Sequence, residues 1–386
     1  MKILHVISTV NPKSGGVVEA VVQLSLANIE QGHHVEIVCL DSPGQDYVKN
    51  CPIPVTAIGP TNSTFGYSKK LVPWLRSNAP RFDAVIVNGL WQYIGIATRK
   101  ALAGTNIPYF VFSHGMLDPW FKHQYPLKHL KKWLYWPWAE YRVLRDAKSV
   151  IFTCEDERLL ARESFWLYRV NETVGSLGIK TPPSNGSELA QTFLASNPNL
   201  VDKRIVLFLS RIQEKKGCDL LIEAFANVAQ VDDRLHLVMA GPDQTGWIKD
   251  LQAQAKRLGV ERRISWPGML QGDDKWGAFY AAEVFCLPSH QENFGIVVAE
   301  ALACSKPVLI SNKVNIWRDF QQDGARFIDE DTVEGAVRNF QKWLSLDVNG
   351  MDEMQEKARV CFNERFQIEK VAERLVDILS GETSDY

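Results

Sequence analysis

Two cations in the second half of the chain have the types and the spacing to bind a diphosphate. Arg211 closely follows the apolar run 205–209, and Lys216 lies five residues later, near the start of a predicted helix. Arg offers a planar fork of donors, Lys offers a point charge, and the first backbone N–H groups of a helix complete an anion site. Taken alone, the pair also fits solvated surface cations, so the assignment depends on the residues around it.

Two glutamates, Glu292 and Glu300, lie in a stretch that is typical of a parallel βαβ unit. An apolar strand over 284–287 leads into a loop, a helix that ends near Cys304, and a second strand over 308–310. The loop of such a unit lies at the carboxyl edge of its sheet, where open α/β folds bind ligands. Glu300 is suited to bond the vicinal hydroxyls of a ribose, and Glu292 those of a bound sugar. Glu292 also fits a carboxylate that only stabilises the helix start, whereas Glu300 sits among apolar neighbours.

The residues between these glutamates add backbone donors. Asn293 and Phe294 precede Gly295 and Ile296 at the predicted helix start. Backbone N–H groups at a helix amino terminus favour phosphate oxygens, and glycine lets the backbone come close to a ligand. The stretch is therefore a second candidate anion site, at the same sheet edge as the two cations.

Strands and helices alternate along the chain, which predicts an α/β protein with parallel sheets. Strands are expected at 3–8, 35–40, 84–87, 109–112, 150–153, 205–209, 235–239, 263–266, 284–287 and 308–310. Helices are expected at 17–31, 93–103, 219–229 and 247–258, and successively from 331 to 379. Residues 175–187 are rich in Gly, Ser and Pro, which is typical of a linker.

The pattern predicts two Rossmann-like domains that face each other across a central cleft, the expected active site. The first domain is expected over 1–178, the linker region over 179–200 and the second domain over 201–386. The last helices are expected to pack back toward the first domain.

Composition and charge limit the class of protein. The chain has 386 residues, 46% apolar and 23% charged, as in a globular protein of two domains. Residues 1–180 hold 20 Lys and Arg against 14 Asp and Glu, while residues 181–386 hold 23 against 31. The basic half favours an anionic partner, such as a phosphorylated acceptor or a membrane surface, although uneven surface charge explains it as well. A nucleic-acid partner is not expected, because no nucleic-acid-binding module is recognisable.

The cysteines and the hydropathy favour a cytoplasmic protein. The seven cysteines are scattered and never spaced as Cys-x-x-Cys, which is typical of buried thiols rather than of disulfides or a zinc site. The apolar start over 1–8 is too short for the core of a signal peptide, and no apolar run is long enough to cross a bilayer.

Three motifs resemble, in matching order, glycosyltransferase family 4, the retaining glycosyltransferases of the GT-B fold (glycosyl transferases group 1). The stretch HQENFGIVVAEALACSKPV resembles the family signature of two glutamates separated by seven residues. LSRIQEKKGCDLLIEAF is similar to its arginine–lysine motif, and SGGVVEAVVQLSLANIEQGHHVEIV to its Gly-Gly loop and first helix. The similarity covers most of the chain.

The resemblance implies a role for each matching residue. The diphosphate of a nucleotide-sugar donor would lie on the two cations, its ribose on Glu300 and its sugar on Glu292. The expected catalytic residues are His114, Arg211, Lys216 and Glu292. The expected donor-binding residues are Gly15, Gly16, Arg211, Lys216, Met269, Asn293, Phe294, Gly295, Ile296 and Glu300.

In the first half, the resemblance implies that Gly15 and Gly16 approach the donor phosphate when the cleft closes. It also implies that His114, in SHGMLDPW, contacts the sugar, although His114 equally fits a loop residue whose ring bonds to backbone groups. Residues 267–269, including Met269, fall where the family contacts the nucleobase.

The sequence departs from the family pattern at three places. Ser305 replaces a frequent glycine, Gly241-Pro242-Asp243 replaces a glycine-rich turn, and the usual Pro-Asn-Gly is absent from VGSLGIKTPP, which leaves the hinge position open. The only Asp-x-Asp, at 329–331, precedes a helix and is given no metal role. No metal or other cofactor is expected, and the donor would be a UDP- or GDP-sugar.

Residues 120–145 combine positive charge with tryptophan. They hold six Lys and Arg against one Glu, interleaved with Trp120, Trp133, Trp136 and Trp138. The preferred interpretation is that the tryptophans pack against the first sheet while the lysines are solvated. The competing hypothesis is peripheral contact with the inner face of a membrane or with a lipid-linked acceptor, because basic tryptophan-rich helices often lie at membrane interfaces.

These features predict a retaining, metal-independent glycosyltransferase, similar to hexosyltransferases. It would move a sugar from a nucleoside-diphosphate donor to a hydroxyl of a glycan or lipid-linked glycan, in polysaccharide or glycolipid assembly. One alternative is a nucleotide-sugar epimerase on the same fold, which would convert the donor without an acceptor. The other is a non-catalytic nucleotide-sugar binding protein in a larger assembly.

Overall fold

The computed structural model describes residues 1–61, 63–320 and 324–382, with every side chain in them except those of Phe121 and His123. The remaining positions of the expected domains, and these two side chains of the segment 120–145, lie outside the described residues. Residue contacts divide the chain into two compact units. The first unit is Met1–Lys180 together with the segment from Gln367 onward, and the second unit is Thr181–Phe366.

The first unit is a parallel α/β structure. Its strands are β1 (Lys2–Val6), β2 (His34–Cys39), β3 (Val55–Ala57), β4 (Ala84–Asn88), β5 (Tyr109–Phe112), β6 (Ser149–Phe152) and β7 (Glu172–Val174). Its helices before residue 180 are α1 (Gly16–Glu30), α2 (Asp46–Lys49), α3 (Leu71–Asn78), α4 (Tyr93–Leu102), α5 (Trp120–Gln124), α6 (Pro126–Tyr135), α7 (Glu140–Asp146) and α8 (Glu155–Ser164). The strands pair in the order β3-β2-β1-β4-β5-β6-β7, all parallel.

The second unit repeats this architecture. Its helices are α9 (Gly186–Ser196), α10 (Cys218–Val228), α11 (Ile248–Arg257), α12 (Gly272–Ala281), α13 (Ile296–Ala303), α14 (Val333–Leu344) and α15 (Val348–Cys361). Its strands are β8 (Arg204–Leu209), β9 (Leu235–Ala240), β10 (Ile264–Gly268), β11 (Val284–Leu287), β12 (Val308–Ser311) and β13 (Arg326–Asp329). They pair in parallel in the order β10-β9-β8-β11-β12-β13.

The last helix, α16 (Ile368–Ser380), belongs to the first unit. It buries Val371 and Leu375 in the same hydrophobic core as Val18 and Val21 of α1. A second core lies on the opposite face of the sheet, because alternate strand residues point to opposite faces. Both faces of the first sheet are therefore covered, as expected for a parallel sheet.

The expected α/β alternation is confirmed, and the ends of the predicted strands and helices differ from the observed ends by two residues at most. The short strands β3, β7 and β13 were not predicted, because their half-buried residues form no continuous apolar run. Helix α9 lies in the stretch expected to be a linker, where Leu189 and Phe193 are buried. It packs closely on α12, since a Cβ on Gly277 would lie 2.6 Å from the carbonyl oxygen of Leu189.

The segment 120–145 packs differently from the preferred expectation. Trp136 is fully buried, its ring stacks on Phe165 at 4.2 Å, and its Nε1 donates to a backbone carbonyl at 2.7 Å. Trp133 and Trp138 keep 41% and 73% of their surface exposed. The prediction that the tryptophans pack on the sheet is therefore wrong for these two. Among the described residues, no helix is both long and apolar enough to cross a membrane.

Replacing Trp136 with alanine should destabilise the first unit. The change removes a fully buried ring and one hydrogen bond, so we expect the free energy of unfolding to fall by about 3–5 kcal/mol. Trp138→Ala, at an exposed position, is the control and should stay within about 0.5 kcal/mol of the parent. Urea unfolding followed by circular dichroism measures both, and equal effects would contradict the packing described.

Candidate functional site

The loops that follow β8 and β11 touch at the carboxyl edge of the second sheet. These strands are parallel neighbours, so their carboxyl ends open on the same side. The backbone N–H of His290 donates to the carbonyl of Lys215 at 2.9 Å. Gly217 has a positive φ of 64°, and a Cβ there would lie 2.3 Å from the carbonyl oxygen of Pro288. Only glycine allows this approach, which brings the cation motif and the glutamate motif together.

An ion pair joins the two motifs. The Nζ of Lys216, whose side chain is 5% exposed, contacts Oε2 of Glu292. Burial, followed by the nearby cations Lys215 and Arg211, lowers the pKa of Lys216 to about 7. The carboxylate of Glu292 opposes this effect, because an opposite charge in contact favours the ammonium form. Lys216 is thus a buried cation that depends on a neighbouring anion.

The backbone of Glu292 is fixed on its other side by the loop after β12. Its N–H donates to the carbonyl of Lys313 at 2.9 Å, and its carbonyl accepts from the N–H of Asn315 at 3.0 Å. These bonds continue the parallel pairing of β11 and β12 beyond the sheet. The backbone from which the Glu292 side chain projects is therefore held in place on both sides.

Arg211 lies just beyond β8 and is exposed. No residue that the structure describes forms an ion pair with it, in contrast to Lys216. Arg211 lies five residues before Lys216 in the same loop, and its positive charge contributes to the lowered pKa of Lys216. The edge therefore presents a guanidinium whose charge no described carboxylate compensates.

Helix α13 begins at this same edge. Gly295 precedes it with a positive φ of 76°, and Phe294 is buried against Phe366 at 5.7 Å. The N–H groups of the first turn of a helix have no partner within the helix, and they carry its partial positive charge. The helix start lies where the sequence predicted it, at Gly295 and Ile296, and the binding role of the residues 293–296 stays a prediction.

Glu300, in the second turn of α13, is paired with a residue that the sequence did not mark. Its side chain is 11% exposed, and Nζ of Lys275 on α12 donates to its Oε1 at 2.8 Å. Burial raises the pKa of Glu300, and Lys275 opposes the rise. Lys275 also lies over the Trp276 ring at 4.3 Å. The second oxygen of Glu300 keeps acceptor capacity for a ligand.

Two predicted features lie farther along the edge. Met269 follows β10, two strands from β8, and is 60% exposed. Gly241 begins the stretch that departs from the resembled pattern, and a Cβ there would lie 1.7 Å from the carbonyl oxygen of Ser210. Asp243, two residues on, accepts backbone N–H groups at the start of α11, and these bonds outweigh its desolvation and lower its pKa. The stretch 241–243, where the sequence departs from the resembled pattern, therefore forms a tight turn that leads into α11.

In the first unit, the predicted residues follow two strands, β1 and β5, which lie on either side of β4. Gly15, with φ 95°, caps α1 after β1, and an added Cβ on it would meet no atom within 4 Å. Gly16 is the first residue of α1. His114 follows β5 with a positive φ of 49°, and its ring stacks on Phe112 at 4.4 Å. All three lie at the carboxyl edge of the first sheet.

The ring of His114 belongs to a polar chain across the centre of this sheet. Its Nε2 lies 3.4 Å from Oδ1 of Asn88, and Nδ2 of Asn88 lies 3.1 Å from Nδ1 of His5. Burial and the neighbouring His5 lower the pKa of His114 to about 3. The imidazole is therefore neutral near pH 7, and it can exchange hydrogen bonds but not supply charge.

A buried carboxylate holds the turn that carries His114. Glu157 on α8 is 2% exposed and accepts from the N–H of Gly115 at 2.6 Å and from the hydroxyl of Ser113 at 2.5 Å. Its other oxygen accepts from the N–H and the hydroxyl of Thr153, at 2.7 and 2.5 Å. These bonds fix the residues on both sides of His114.

The acidic stretch 329–331 is engaged in ion pairs. Asp329 accepts from Arg338 at 2.5 Å, and Asp331 lies 2.9 Å from His290. Within the described part of the chain, no three His, Cys, Asp or Glu residues are grouped so that they could hold a metal ion.

Family models match both units. The model of the glycosyl transferases group 1 matches residues 191–360, and that of the glycosyl transferase 4-like domain matches residues 15–175. The chain belongs to the group 1 glycosyl transferases. The family that the three motifs resemble is thereby confirmed.

Curated relatives and solved structures extend this result. The D-inositol 3-phosphate glycosyltransferase of Xylanimonas cellulosilytica is 33% identical over 130 residues, which are 33% of this chain and 31% of that protein. The mannosylfructose-phosphate synthase of Agrobacterium fabrum is 31% identical over 30% of this chain and 27% of that protein. The chain therefore spans less than a third of the length of these relatives.

Anabaena HepE, solved in complex with UDP, superposes with a TM-score of 0.76 at 19% identity, over 99% of this chain and 100% of HepE. At this identity the similarity shows the fold, and it confirms the expected GT-B fold.

Three residues of this group 1 glycosyl transferase were missed by the sequence analysis. Lys275, Asn88 and Glu157 each contact a predicted residue or its turn. No local motif marks them, because each acts through a contact between distant positions in the chain. A strand-end asparagine and a helix-start glutamate are weak signals that could have drawn attention to the last two.

We expect Lys275→Met to make stability depend on the ionisation of Glu300. Burial already raises the pKa of Glu300 in the folded state, and removing Lys275 raises it further. The folded state then binds a proton that the unfolded state releases, so the stability of the variant falls as pH rises from about 4.5 through the folded pKa.

The melting temperature of Lys275→Met, relative to the parent, should therefore be lower at pH 8 than at pH 5. Lys275→Arg, which keeps the charge, is the control, and adding Glu300→Gln should abolish the pH dependence. If the melting temperature of Lys275→Met were below that of the parent by the same amount at both pH values, the ion pair of Lys275 and Glu300 would not be electrostatically important.

A second expectation concerns the turn of His114. Glu157→Gln replaces an acceptor oxygen with an NH2 group that faces the donors of Thr153, so we expect a loss of about 1–3 kcal/mol in the free energy of unfolding. The exposed Glu163→Gln on the same helix should change little. Chemical denaturation gives the energies, and the NMR shifts of His114 report the turn; unchanged values for Glu157→Gln would refute this account.

Proposed function

We propose that this group 1 glycosyl transferase moves a sugar, with retention, from a nucleoside-diphosphate donor to a hydroxyl group. One observation carries the proposal. Arg211, with no described ion pair, lies beside Lys216 and the amino terminus of α13, at the carboxyl edge of the second sheet. Two cations and converging N–H groups fit a diphosphate. The UDP and UDP-glucose complexes of HepE, which shares the fold, support a nucleotide-sugar donor.

Each donor group has a matching residue in the proposal. The diphosphate lies on Arg211, Lys216 and the first N–H groups of α13. The ribose hydroxyls bond to Glu300, and the transferred sugar to Glu292. Met269, at the rim of the sheet, contacts the base of a UDP- or GDP-sugar. Residues of the first unit contribute through Gly15, Gly16 and His114, at the carboxyl edge of its sheet.

The chemical step follows from charge. As the bond between the anomeric carbon and the phosphate oxygen breaks, negative charge grows on the diphosphate and positive charge on the sugar ring. Arg211 and Lys216 stabilise the leaving group where its charge develops. The acceptor oxygen forms its bond on the same face of the sugar, and its proton passes to the departing phosphate, so the configuration is retained. No side chain acts as a nucleophile in this scheme.

Glu292 and His114 have different tasks. Glu292 exchanges its contact with Lys216 for a sugar hydroxyl once the diphosphate takes the ammonium charge. Because the low pKa of His114 keeps its ring neutral, it positions a sugar hydroxyl through a hydrogen bond and leaves charge stabilisation to the cations. The cations and the helix supply the positive charge that a metal ion supplies elsewhere, so we propose that transfer needs no metal.

The acceptor is proposed at the level of chemical class. A hydroxyl of a glycan or a lipid-linked glycan fits the family, and the basic first half of the chain favours an acceptor that carries phosphate. We place the enzyme in the cytoplasm, in polysaccharide or glycolipid assembly.

Arg211→Ala tests the electrostatic account. We expect kcat/KM for transfer to fall by about 10²–10³-fold, because one preorganised charge at the leaving group is removed. The exposed Arg262→Ala, also in the second unit, is the matched control and should leave the rate unchanged. A rate for Arg211→Ala near that of the parent would refute the proposed role.

Thermal shifts with UDP, GDP and their sugars identify the donor and keep binding separate from chemistry. A ligand that binds the folded state raises the melting temperature with its concentration. The shift should be lost in Glu300→Ala if Glu300 bonds the ribose. Product that appears only when an acceptor is added distinguishes transfer from epimerisation and from binding alone.

A further inference from the structure

Helix α6 presents its leucines away from the protein. Leu127, Leu130 and Leu134 are 83%, 54% and 61% exposed, and their spacing of three and four residues puts them on one face. No described residue of α6 is buried. A surface helix of a globular protein normally packs its apolar face against the core. In α6 the apolar face is directed to solvent instead.

The opposite face of α6 holds the helix in place. The His129 ring stacks on Phe165 at 4.9 Å, and Nζ of Lys132 lies over the Trp91 ring at 4.3 Å. These are polar or charged side chains on aromatic rings. The orientation of α6 is therefore set by specific contacts, and the outward leucines follow from it.

Exposed tryptophans extend the leucine face. Trp133 on α6 lies 6.2 Å from Trp166, which is 65% exposed, and Trp138 is 73% exposed. Between α6 and the end of α8 lies a groove of about 780 Å³ lined by both Trp133 and Trp166. We call the three leucines and these three tryptophans the docking face. An apolar patch of this kind is typical of a surface that binds a partner.

The charges beside the docking face are mostly positive. Lys122, Lys128 and Lys131 are exposed, and the sequence contains no Asp or Glu from 119 to 139. Around the groove, Arg162 is paired with Glu172, and Glu163 is the one carboxylate among the groove's lining residues. An apolar face with tryptophans and a lysine border fits the interface of an anionic bilayer, where rings lie at headgroup depth and cations meet lipid phosphates.

We propose that the docking face binds the surface of an anionic lipid bilayer, with α6 lying in the interface plane. The leucines and tryptophans enter the boundary between headgroups and acyl chains, and the lysines contact the headgroup phosphates. This places the carboxyl edge of the first sheet, from which α5 and α6 follow β5, near the membrane. The inference does not depend on the donor or on the reaction.

Vesicle flotation of the full chain tests the proposal. The protein should float with phosphatidylcholine vesicles that contain phosphatidylglycerol and about tenfold less with phosphatidylcholine alone, because lysines near the surface add electrostatic attraction. High salt should weaken the binding to anionic vesicles. Absence of flotation of the parent with the anionic vesicles would overturn the proposal.

Two variants separate the parts of the face. Lys128→Glu/Lys131→Glu should reduce binding to anionic vesicles by about tenfold or more, since each lysine contributes about 1 kcal/mol near the surface. The control Lys100→Glu/Lys148→Glu has the same charge change at the opposite, amino edge of the sheet and should keep binding. An equal loss of vesicle binding in both double variants would show that binding depends only on the net charge of the protein, and it would overturn the proposal.

Leu130→Gln/Leu134→Gln tests the apolar contribution. Both leucines are exposed, so we expect the fold to persist, as circular dichroism would show, while flotation falls. Val231→Gln/Val348→Gln, at exposed apolar positions of the second unit, is the control. The alternative occupant of the docking face is a second copy of the chain, and analytical ultracentrifugation tests for it. If the parent forms a dimer and does not float, and Leu130→Gln/Leu134→Gln is monomeric, the face is a dimer interface and the membrane proposal is overturned.

Discussion

The contact between Lys216 and Glu292 is the interaction on which the site in the second unit depends. It joins two loops that lie more than seventy residues apart in sequence, and it forms because β8 and β11 are parallel neighbours whose carboxyl ends open together. A buried ammonium is costly without a partner, so the carboxylate of Glu292 stabilises the charged form of Lys216. In the proposed complex, a diphosphate carries more charge than one carboxylate and also contacts Arg211. The ion pair therefore keeps the two loops together, and in the proposed mechanism an anionic ligand takes the place of the carboxylate.

The two units use carboxylates in different ways. Glu300, in the second unit, is buried beside Lys275 and keeps an oxygen for a ligand. In the first unit, both carboxylate oxygens of Glu157 accept hydrogen bonds from backbone and hydroxyl donors, so Glu157 stabilises the turn that carries His114. The neutral chain His5–Asn88–His114 carries no charge into the first sheet. This contrast fits a division in which the second unit binds charge and the first unit orders uncharged groups.

Helix α6 departs from the ordinary packing of a surface helix. Its leucines face outward because His129 and Lys132 occupy the inward side, where they meet the aromatic rings of Phe165 and Trp91. Trp136, a short distance on, anchors the same segment in the core. One stretch of chain thus combines a buried anchor with an exposed apolar face. The composition of residues 120–145 could not predict which of its apolar side chains are buried and which are exposed.

The sequence by itself determined the alternation of strands and helices, the family motifs and the edge at which their residues would lie. A residue that follows a strand of a parallel sheet must lie at its carboxyl edge, so Arg211, Glu292 and His114 could be placed without coordinates. Only the tertiary structure decided the partners of these residues. Lys275, Asn88 and Glu157 act across contacts between distant segments, and α9 forms where Leu189 and Phe193 find a surface on α12. The tertiary structure also determines that the leucines of α6 point to solvent, because sequence periodicity predicts an apolar face but not whether that face packs on the core.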